Sequence, residues 1–303
     1  MVELNPGDVL SYSAGSTQIS PMGFRKVQPR GGMMTGLARR WPDIVAALGS
    51  RPVLFINSYP ATIGRLPTVI TVDTYLNPRM LSRALQLGRV ADHPVILTAQ
   101  PLFIADALLG HIAAELALPA TLMLWLGGYA MPESLERMLH TAVQPHVDHF
   151  SIVQYFGVAE VDAGCLMARE RDHDGDPIYY PRDDVAVQLD DDALLLALRD
   201  DEGTPIGAGF RTGDKARPAG EGWVIWNDQR YHPEIKAVLR GWTEAQWRRR
   251  TGYVRRTDEA LWIQLRQDET PVESADGARQ VELEHYEFAR RFGFSWLDKP
   301  YWR

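Results

Sequence analysis

Residues 1–163 alternate short apolar runs with longer segments whose apolar residues recur at helical spacing. The runs are mostly bordered by Pro, Gly, Asp or Asn, as expected of strands that are buried on both faces. The predicted strands are 52–56, 69–72, 95–98, 121–125 and 150–154, and the predicted helices are 35–48, 78–90, 102–117 and 132–143. This alternation predicts an α/β fold with a mainly parallel sheet flanked by helices, in which ligands bind beyond the carboxyl ends of the strands.

Residues 164–226 have a different pattern, which predicts a small antiparallel β subdomain. The runs 185–189 and 193–198 flank three consecutive aspartates and are typical of a β-hairpin. The segment from Asp172 to Asp176 begins like a calcium-binding loop. However, Pro177 stands where such a loop needs a glycine, and this favours an ordinary polar turn.

Residues 227–303 are predicted to form a short α+β segment at the C-terminus. Thr243-Glu244-Ala245-Gln246 is a capping box that opens a short helix. A strand at 261–265 and a helix near 281–292 are expected to follow.

The charge and the cysteine content argue against several classes of protein. A formal net charge of −7 is unsuited to a nucleic-acid-binding surface, which needs a basic excess. Cys165 is the only cysteine, so no intrachain disulfide is expected, and a buried thiol is favoured over a nucleophile. The N-terminus lacks signal-peptide features, and no uncharged apolar stretch approaches the roughly 20 residues of a membrane span. We therefore expect a cytoplasmic protein without nucleic-acid or membrane partners.

Four short segments carry residues suited to binding a nucleotide. Glycines and hydroxyls in the loop 12–17 let backbone amides approach phosphate oxygens. The pair Gly127-Gly128 lacks Cβ atoms, so a ligand can approach its backbone closely. Glu160 supplies a hard oxygen ligand, and the Asp214 carboxylate can accept hydrogen bonds from paired donors. Taken alone, each segment is also compatible with an ordinary turn or strand end.

In this order, and with Gly222-Trp223-Val224-Ile225 after them, the segments resemble the nucleotide-binding segments of the adenylate-forming enzymes. That family comprises acyl-CoA synthetases, nonribosomal-peptide adenylation domains and luciferases. The resemblance covers residues 10–226 and implies that residues 1–163 form a nucleotide-binding subdomain. It also implies ATP or AMP and Mg²⁺ as cofactors.

The resemblance further implies roles for individual residues. Glu160 and Arg230 are implied to take part in catalysis. The implied contacts are Ser13, Gly15, Ser16 and Thr17 with phosphate, Gly127 and Gly128 with adenine, Phe156 and Gly157 with the stacked base, Asp214 with the ribose hydroxyls, Glu160 with Mg²⁺, and Arg230 with phosphate or ribose.

The chain departs from the family pattern at several cationic and polar positions. Pro21 stands where the phosphate loop has a lysine, Tyr129 replaces a glutamate, and Ala159 replaces the phosphate-binding threonine. The tail has no Pro-Lys-x-x-x-Gly-Lys element, and only a handful of residues precede Tyr12. We expect a member of the family that is truncated and partly degenerate. Truncation would leave an apolar surface uncovered, and such a surface would favour a homodimer or a partner protein.

Two functions follow from the resemblance. The first is an adenylate-forming ligase that activates or transfers a small carboxylic or amino acid, with a carrier protein as a further partner. The second is a catalytically degenerate homologue that serves as a binding or scaffold partner of a complete synthetase. Four apolar residues have two interpretations, either as the lining of an acyl pocket or, as we favour, as ordinary core residues. They are Phe103, Ala105, Trp125 and Val153.

Overall fold

The computed structural model describes much of the 303-residue chain, namely residues 9–12, 24–27, 32–58, 69–74, 77–128, 130–158, 160–200, 202–227, 254–256, 261–263 and 280–281. Its strands are β1 (Val9–Tyr12), β2 (Phe24–Val27), β3 (Leu54–Asn57), β4 (Ile70–Asp73), β5 (Val95–Ala99), β6 (Thr121–Leu126), β7 (His149–Val158), β8 (Asp162–Arg171), β9 (Pro177–Pro181), β10 (Val185–Asp190), β11 (Ala193–Leu198), β12 (Phe210–Ala219), β13 (Gly222–Asn227), β14 (Val254–Arg256), β15 (Leu261–Ile263) and β16 (Gln280–Val281). Its helices are α1 (Gly32–Arg40), α2 (Pro42–Leu48), α3 (Pro78–Val90), α4 (Pro101–Ala113) and α5 (Glu133–Val143), with a 3₁₀ turn at Gln144–His146.

Eleven of these strands form one mixed sheet, in the order β10-β11-β12-β13-β9-β8-β7-β6-β5-β3-β4. The strands from β4 to β7 run parallel to their neighbours. From β7 to β10 every pairing is antiparallel. The prediction of an α/β fold is confirmed, but the sheet is mixed, and its parallel part ends at β7. The antiparallel strands continue the same hydrogen-bonded sheet, and the domain boundaries stay a prediction.

Helices cover both faces of the parallel part, as predicted. Alternate residues of β6 point in opposite directions, so Leu122 and Leu124 join a core with α3, α4 and α5. Met123 and Trp125 join a second core with α1 and α2. Burial on both faces explains why the apolar runs of these strands are continuous.

The helix predictions hold closely where the local signals are strong. The Asn77 side chain accepts hydrogen bonds from the backbone N–H groups of Arg79 and Met80, and Pro78 occupies the first turn of α3. The helix predicted at 35–48 is wrong in one respect, because it is divided into α1 and α2 on either side of Trp41. Pro42 causes the division, since it has no N–H to donate and disfavours a helical conformation at the preceding residue.

Several smaller predictions are confirmed. Residues 185–198 form the expected hairpin, with Val187 opposite Leu196. The segment after Asp172 is a polar turn, closed by a hydrogen bond from the Gly175 N–H to the Asp172 carbonyl. Cys165 is fully buried, and burial raises the pKa of its thiol to about 12.

Little of the C-terminal prediction falls on described residues. The strand predicted at 261–265 is present as β15, which pairs with β14 and β16. Val281 lies in β16, so the helix predicted near 281–292 does not begin there; the rest of that helix and the capping box lie outside the described residues. None of the helices described is long and apolar enough to cross a membrane.

Candidate functional site

Buried polar side chains cluster where the parallel strands end. Asn57, Ser58 and Thr74 are each at most 1% exposed, and Thr98 and Gln100 are also buried. The hydroxyls of Ser58 and Thr74 share a hydrogen bond of 2.6 Å, and the Asn57 amide donates to Asp73 at 2.7 Å. These residues were not among the predicted site residues. The available signal was the polar residue that follows each apolar run, at the edge where open α/β sheets bind ligands.

The Gly127-Gly128 pair follows β6 at this same edge. The Gly127 N–H donates to the Ala99 carbonyl at 3.2 Å, which continues the pairing between β6 and β5. Gly128 has a φ of +92°, in a region that side chains with a Cβ rarely adopt. A Cβ at this position would also lie 3.2 Å from Cγ of the buried Gln100. The chain therefore requires glycine at 128 for its turn from strand towards helix.

The end of β7 supplies the third predicted segment. Phe156 is partly buried, and its ring meets that of Tyr179 edge to face with centroids 6.1 Å apart. At Gly157 the pairing between β7 and β8 shifts register. The Val161 N–H then closes a tight turn on the Val158 carbonyl at 3.0 Å, and Glu160 lies in this turn, partly exposed.

Asp214 lies within β12, where the pairing with β11 is interrupted by a β-bulge. The Thr-Gly-Asp sequence is therefore a bulge inside a strand, and not an ordinary turn. Gly213 has a φ of +84°. The Thr212 hydroxyl donates to the Leu194 carbonyl at 3.2 Å and accepts from the Asp214 N–H at 3.1 Å, so it replaces ladder bonds that the bulge removes. Bulges re-aim side chains and recur beside active sites. Here Asp214 points inwards and is 6% exposed.

A buried arginine anchors the turn that carries Glu160. Arg182 is 3% exposed and donates to Asp162 at 2.8 Å, to the Gly164 carbonyl at 3.2 Å and to both carboxylate oxygens of Asp184. Burial by itself would lower the pKa of this guanidinium, but the two carboxylates outweigh burial and raise it. Asp162 begins β8 directly after the turn, so the ion pair fixes the turn to the strand.

The end of β7 and β12 both contribute to one core cluster. Phe156 and Val158 from β7 and Phe210 from β12 pack against this cluster, which includes Leu196 and Ala216. The segments around Phe156 and Asp214 thus share a core, although β8, β9 and β13 separate them in the sheet.

Other predicted residues are placed differently or lie outside the description. Phe103 and Ala105 belong to the core beneath α4, whereas Trp125 and Val153 belong to the core on the opposite face of the sheet. These four residues therefore do not line one pocket, and the interpretation as core is confirmed. The predicted phosphate loop and the predicted arginine lie outside the described residues; they are Ser13, Gly15, Ser16, Thr17 and Arg230.

Comparison with solved structures identifies the fold. The structure of the anthranilate CoA ligase AuaEII in complex with anthranoyl-AMP matches with a TM-score of 0.56 at 17% identity, over 90% of this chain and 62% of that chain. VinN with L-aspartate has a TM-score of 0.48 at 14% identity, over 75% of this chain and 62% of that chain. A long-chain-fatty-acid-CoA ligase from Archaeoglobus fulgidus has a TM-score of 0.46 at 15% identity, over 88% of this chain and 60% of that chain.

The chain therefore has the fold of the adenylate-forming enzymes, and the resemblance inferred from the four segments is confirmed at the level of the fold. It spans 62% of the length of the anthranilate CoA ligase. No protein-family model matches the sequence. No curated protein matches it either.

Proposed function

We propose that this protein binds an adenine nucleotide at the carboxyl edge of its parallel strands and acts as an AMP-forming acid ligase. The observation that carries the proposal is the placement of Gly127-Gly128 after β6, next to the end of β7 with Phe156 and Glu160. The anthranilate CoA ligase, which shares the fold, was solved with an acyl-adenylate. The corresponding reaction here joins a carboxylate oxygen to the α-phosphorus of ATP, and pyrophosphate leaves.

In this proposal each segment contacts a different part of the nucleotide. Gly127 and Gly128 lie along the adenine, and the Phe156 ring, beside Gly157, stacks on it. Asp214 accepts hydrogen bonds from the ribose hydroxyls. The phosphates are bound by residues outside the described part of the chain; these are Ser13, Gly15, Ser16 and Thr17, with Arg230 as a further phosphate or ribose contact.

Glu160 is the proposed ligand for Mg²⁺. Its carboxylate is a hard oxygen ligand on a tight turn, and the residue is partly exposed. Mg²⁺ in nucleotide sites commonly takes one or two carboxylates and completes its shell with phosphates and water, so one glutamate fits this requirement. Bound Mg²⁺ supplies positive charge that offsets the charge of the phosphates. The ion pairs of Arg182 with Asp162 and Asp184 stabilise the turn that carries Glu160.

An activity measurement tests the proposal. The purified protein is incubated with ATP, Mg²⁺, hydroxylamine and a panel of carboxylic and amino acids that includes anthranilate, and acid-dependent pyrophosphate release and hydroxamate are measured. We expect release with at least one acid, and a decrease of about tenfold or more in Asp214→Asn and Glu160→Gln because each loses a charged contact.

Asp190→Asn is the matched control, because Asp190 is an exposed aspartate at the tip of the β10–β11 hairpin. It should leave the rate unchanged, and thermal unfolding checks that Asp214→Asn folds. Absence of release with every acid, together with absence of ATP and AMP binding by calorimetry, would falsify the proposal. Nucleotide binding without pyrophosphate release would support the nucleotide site but not the ligase activity. It would favour the scaffold function instead.

A further inference from the structure

Both backbone polar groups of Met131 are bound by side chains from other parts of the chain. Met131 lies between β6 and α5 and is 1% exposed. Its N–H donates to Oε1 of Gln154 at 2.8 Å, and its carbonyl accepts from Nη2 of Arg171 at 2.9 Å. Buried backbone groups outside a helix or a sheet need such partners, because leaving them unpaired is costly. These two side chains therefore fix the backbone at Met131.

Arg171 joins this connection to two further elements. Its guanidinium donates to Glu136 of α5, with Nε 2.9 Å from Oε2, and to the Gly175 carbonyl of the β8–β9 turn at 2.7 Å. The side chains of Arg171 and Glu136 are only 13% and 17% exposed. A planar fork with five donors can serve three acceptors at once, whereas a lysine ammonium cannot span them.

Gln154 couples the same connection to the end of β7. It is 3% exposed and precedes Phe156 by two residues on that strand. The connection is thus held at its start by the bond from the Gly127 N–H to Ala99 and near its end by Gln154 and Arg171. Between these points Gly128 adopts its positive φ.

We infer that Gln154 and Arg171 are positioning residues, which fix the backbone at Met131 beside the Gly127-Gly128 pair that recognises the adenine base. The inference rests on the proposed function, in which the base lies along Gly127 and Gly128. It adds two residues that favour adenine over other bases, since they fix the Met131 backbone near the ring. Loss of either residue should therefore weaken base recognition and leave the contacts with ribose and phosphate intact.

Base selectivity distinguishes this role from a merely structural one. Calorimetry of the full chain gives the Kd of AMP and of UMP, which share ribose and phosphate and differ in the base. In Gln154→Met and Arg171→Lys we expect the Kd of AMP to rise about tenfold and that of UMP to stay unchanged, so the preference for AMP falls. Gln154→Glu keeps an acceptor oxygen for the Met131 N–H and should retain the preference.

Arg169→Lys is the matched control, because Arg169 lies on the same strand and pairs with Asp43 of α2, away from the connection. It should change neither Kd. If Gln154→Met does not fold, Arg171→Lys decides alone, since the lysine keeps a charge opposite Glu136. An unchanged preference, or an equal loss of AMP and UMP binding, would overturn the positioning role while the proposed function stands. A wild-type protein that binds no AMP would overturn both.

Discussion

The parallel and antiparallel parts of the sheet both have apolar cores, and they differ in the charged pairs that accompany those cores. In the parallel part, β3, β5 and β6 are buried along their whole length between two apolar cores. In the antiparallel part, residues of β12 alternate between buried and more exposed positions, and arginine–carboxylate pairs tie the strands to each other and to the helices. Apolar burial therefore stabilises both parts, and specific charged pairs add to it in the antiparallel part.

The largest effect should come from the buried arginine of the antiparallel part. Arg182→Ala leaves Asp162 and Asp184 without their cation, and we expect the free energy of unfolding to fall by about 3–5 kcal/mol. Urea unfolding of the wild type and the variant measures this decrease in the free energy of unfolding. A loss below about 1 kcal/mol, the range of an exposed ion pair, would show that the charged pairs do not distinguish the two parts.

An apolar truncation in the parallel part should have the next largest effect. Leu124 is 0% exposed, so Leu124→Ala removes buried methyl groups and leaves a cavity, at a cost of about 2–5 kcal/mol. Leu87→Ala is the control, because Leu87 is 49% exposed on α3, and its change should stay within about 0.5 kcal/mol. Equal losses at the two leucines would contradict the two-core description.

A buried histidine should give the parallel part a pH dependence. The Nε2 of His111 lies 3.2 Å from the Ala117 carbonyl, so this nitrogen carries the proton, and Nδ1 accepts from Ser82 at 2.9 Å. Burial lowers the pKa of His111, although the bond to Ala117 partly opposes it. The unfolded chain then binds more protons than the folded one as the pH falls below about 6.5, and stability decreases.

Chemical unfolding between pH 5 and pH 8 measures this dependence. His111→Gln should flatten it, with a remainder from His140, whose pKa burial also lowers. His173→Gln replaces an exposed histidine and should reproduce the wild-type curve. If the stability of His111→Gln depends on pH as that of the wild type does, His111 does not cause the dependence.

The smallest effect should come from an exposed pair in the antiparallel part. Arg211 pairs with Asp190, and both side chains are about 60% exposed. Solvent screening makes such a pair worth about 0–1 kcal/mol, so Arg211→Ala should barely move the urea midpoint. A loss comparable to that of Arg182→Ala would mean that burial does not decide which charged pairs matter.

The same difference explains what the sequence could predict. The strands of the parallel part follow from continuous apolar runs, and α3 follows from Asn77 and Pro78. The division at Trp41 was missed although Pro42 was a visible local signal. The bulge at Thr212 to Asp214 could not be predicted, because a bulge exists only relative to a paired strand.

The candidate site was predictable to a similar degree. Its glycines and acidic residues follow from short segments with a family resemblance. Their supports do not, since Arg182 and Asp162 are 20 residues apart and Arg171 and Met131 are 40 residues apart. Such partners come together only in the folded chain, so local sequence patterns do not identify them.

The central claim is that the ends of β6 and β7 and the bulge of β12 together form one adenine-nucleotide site. A crystal structure of the protein with AMP tests it most directly. We expect the base to lie between Gly128 and Phe156, with the ribose hydroxyls bound to the Asp214 carboxylate. AMP bound elsewhere on the protein, or no AMP in crystals grown at saturating concentration, would contradict it.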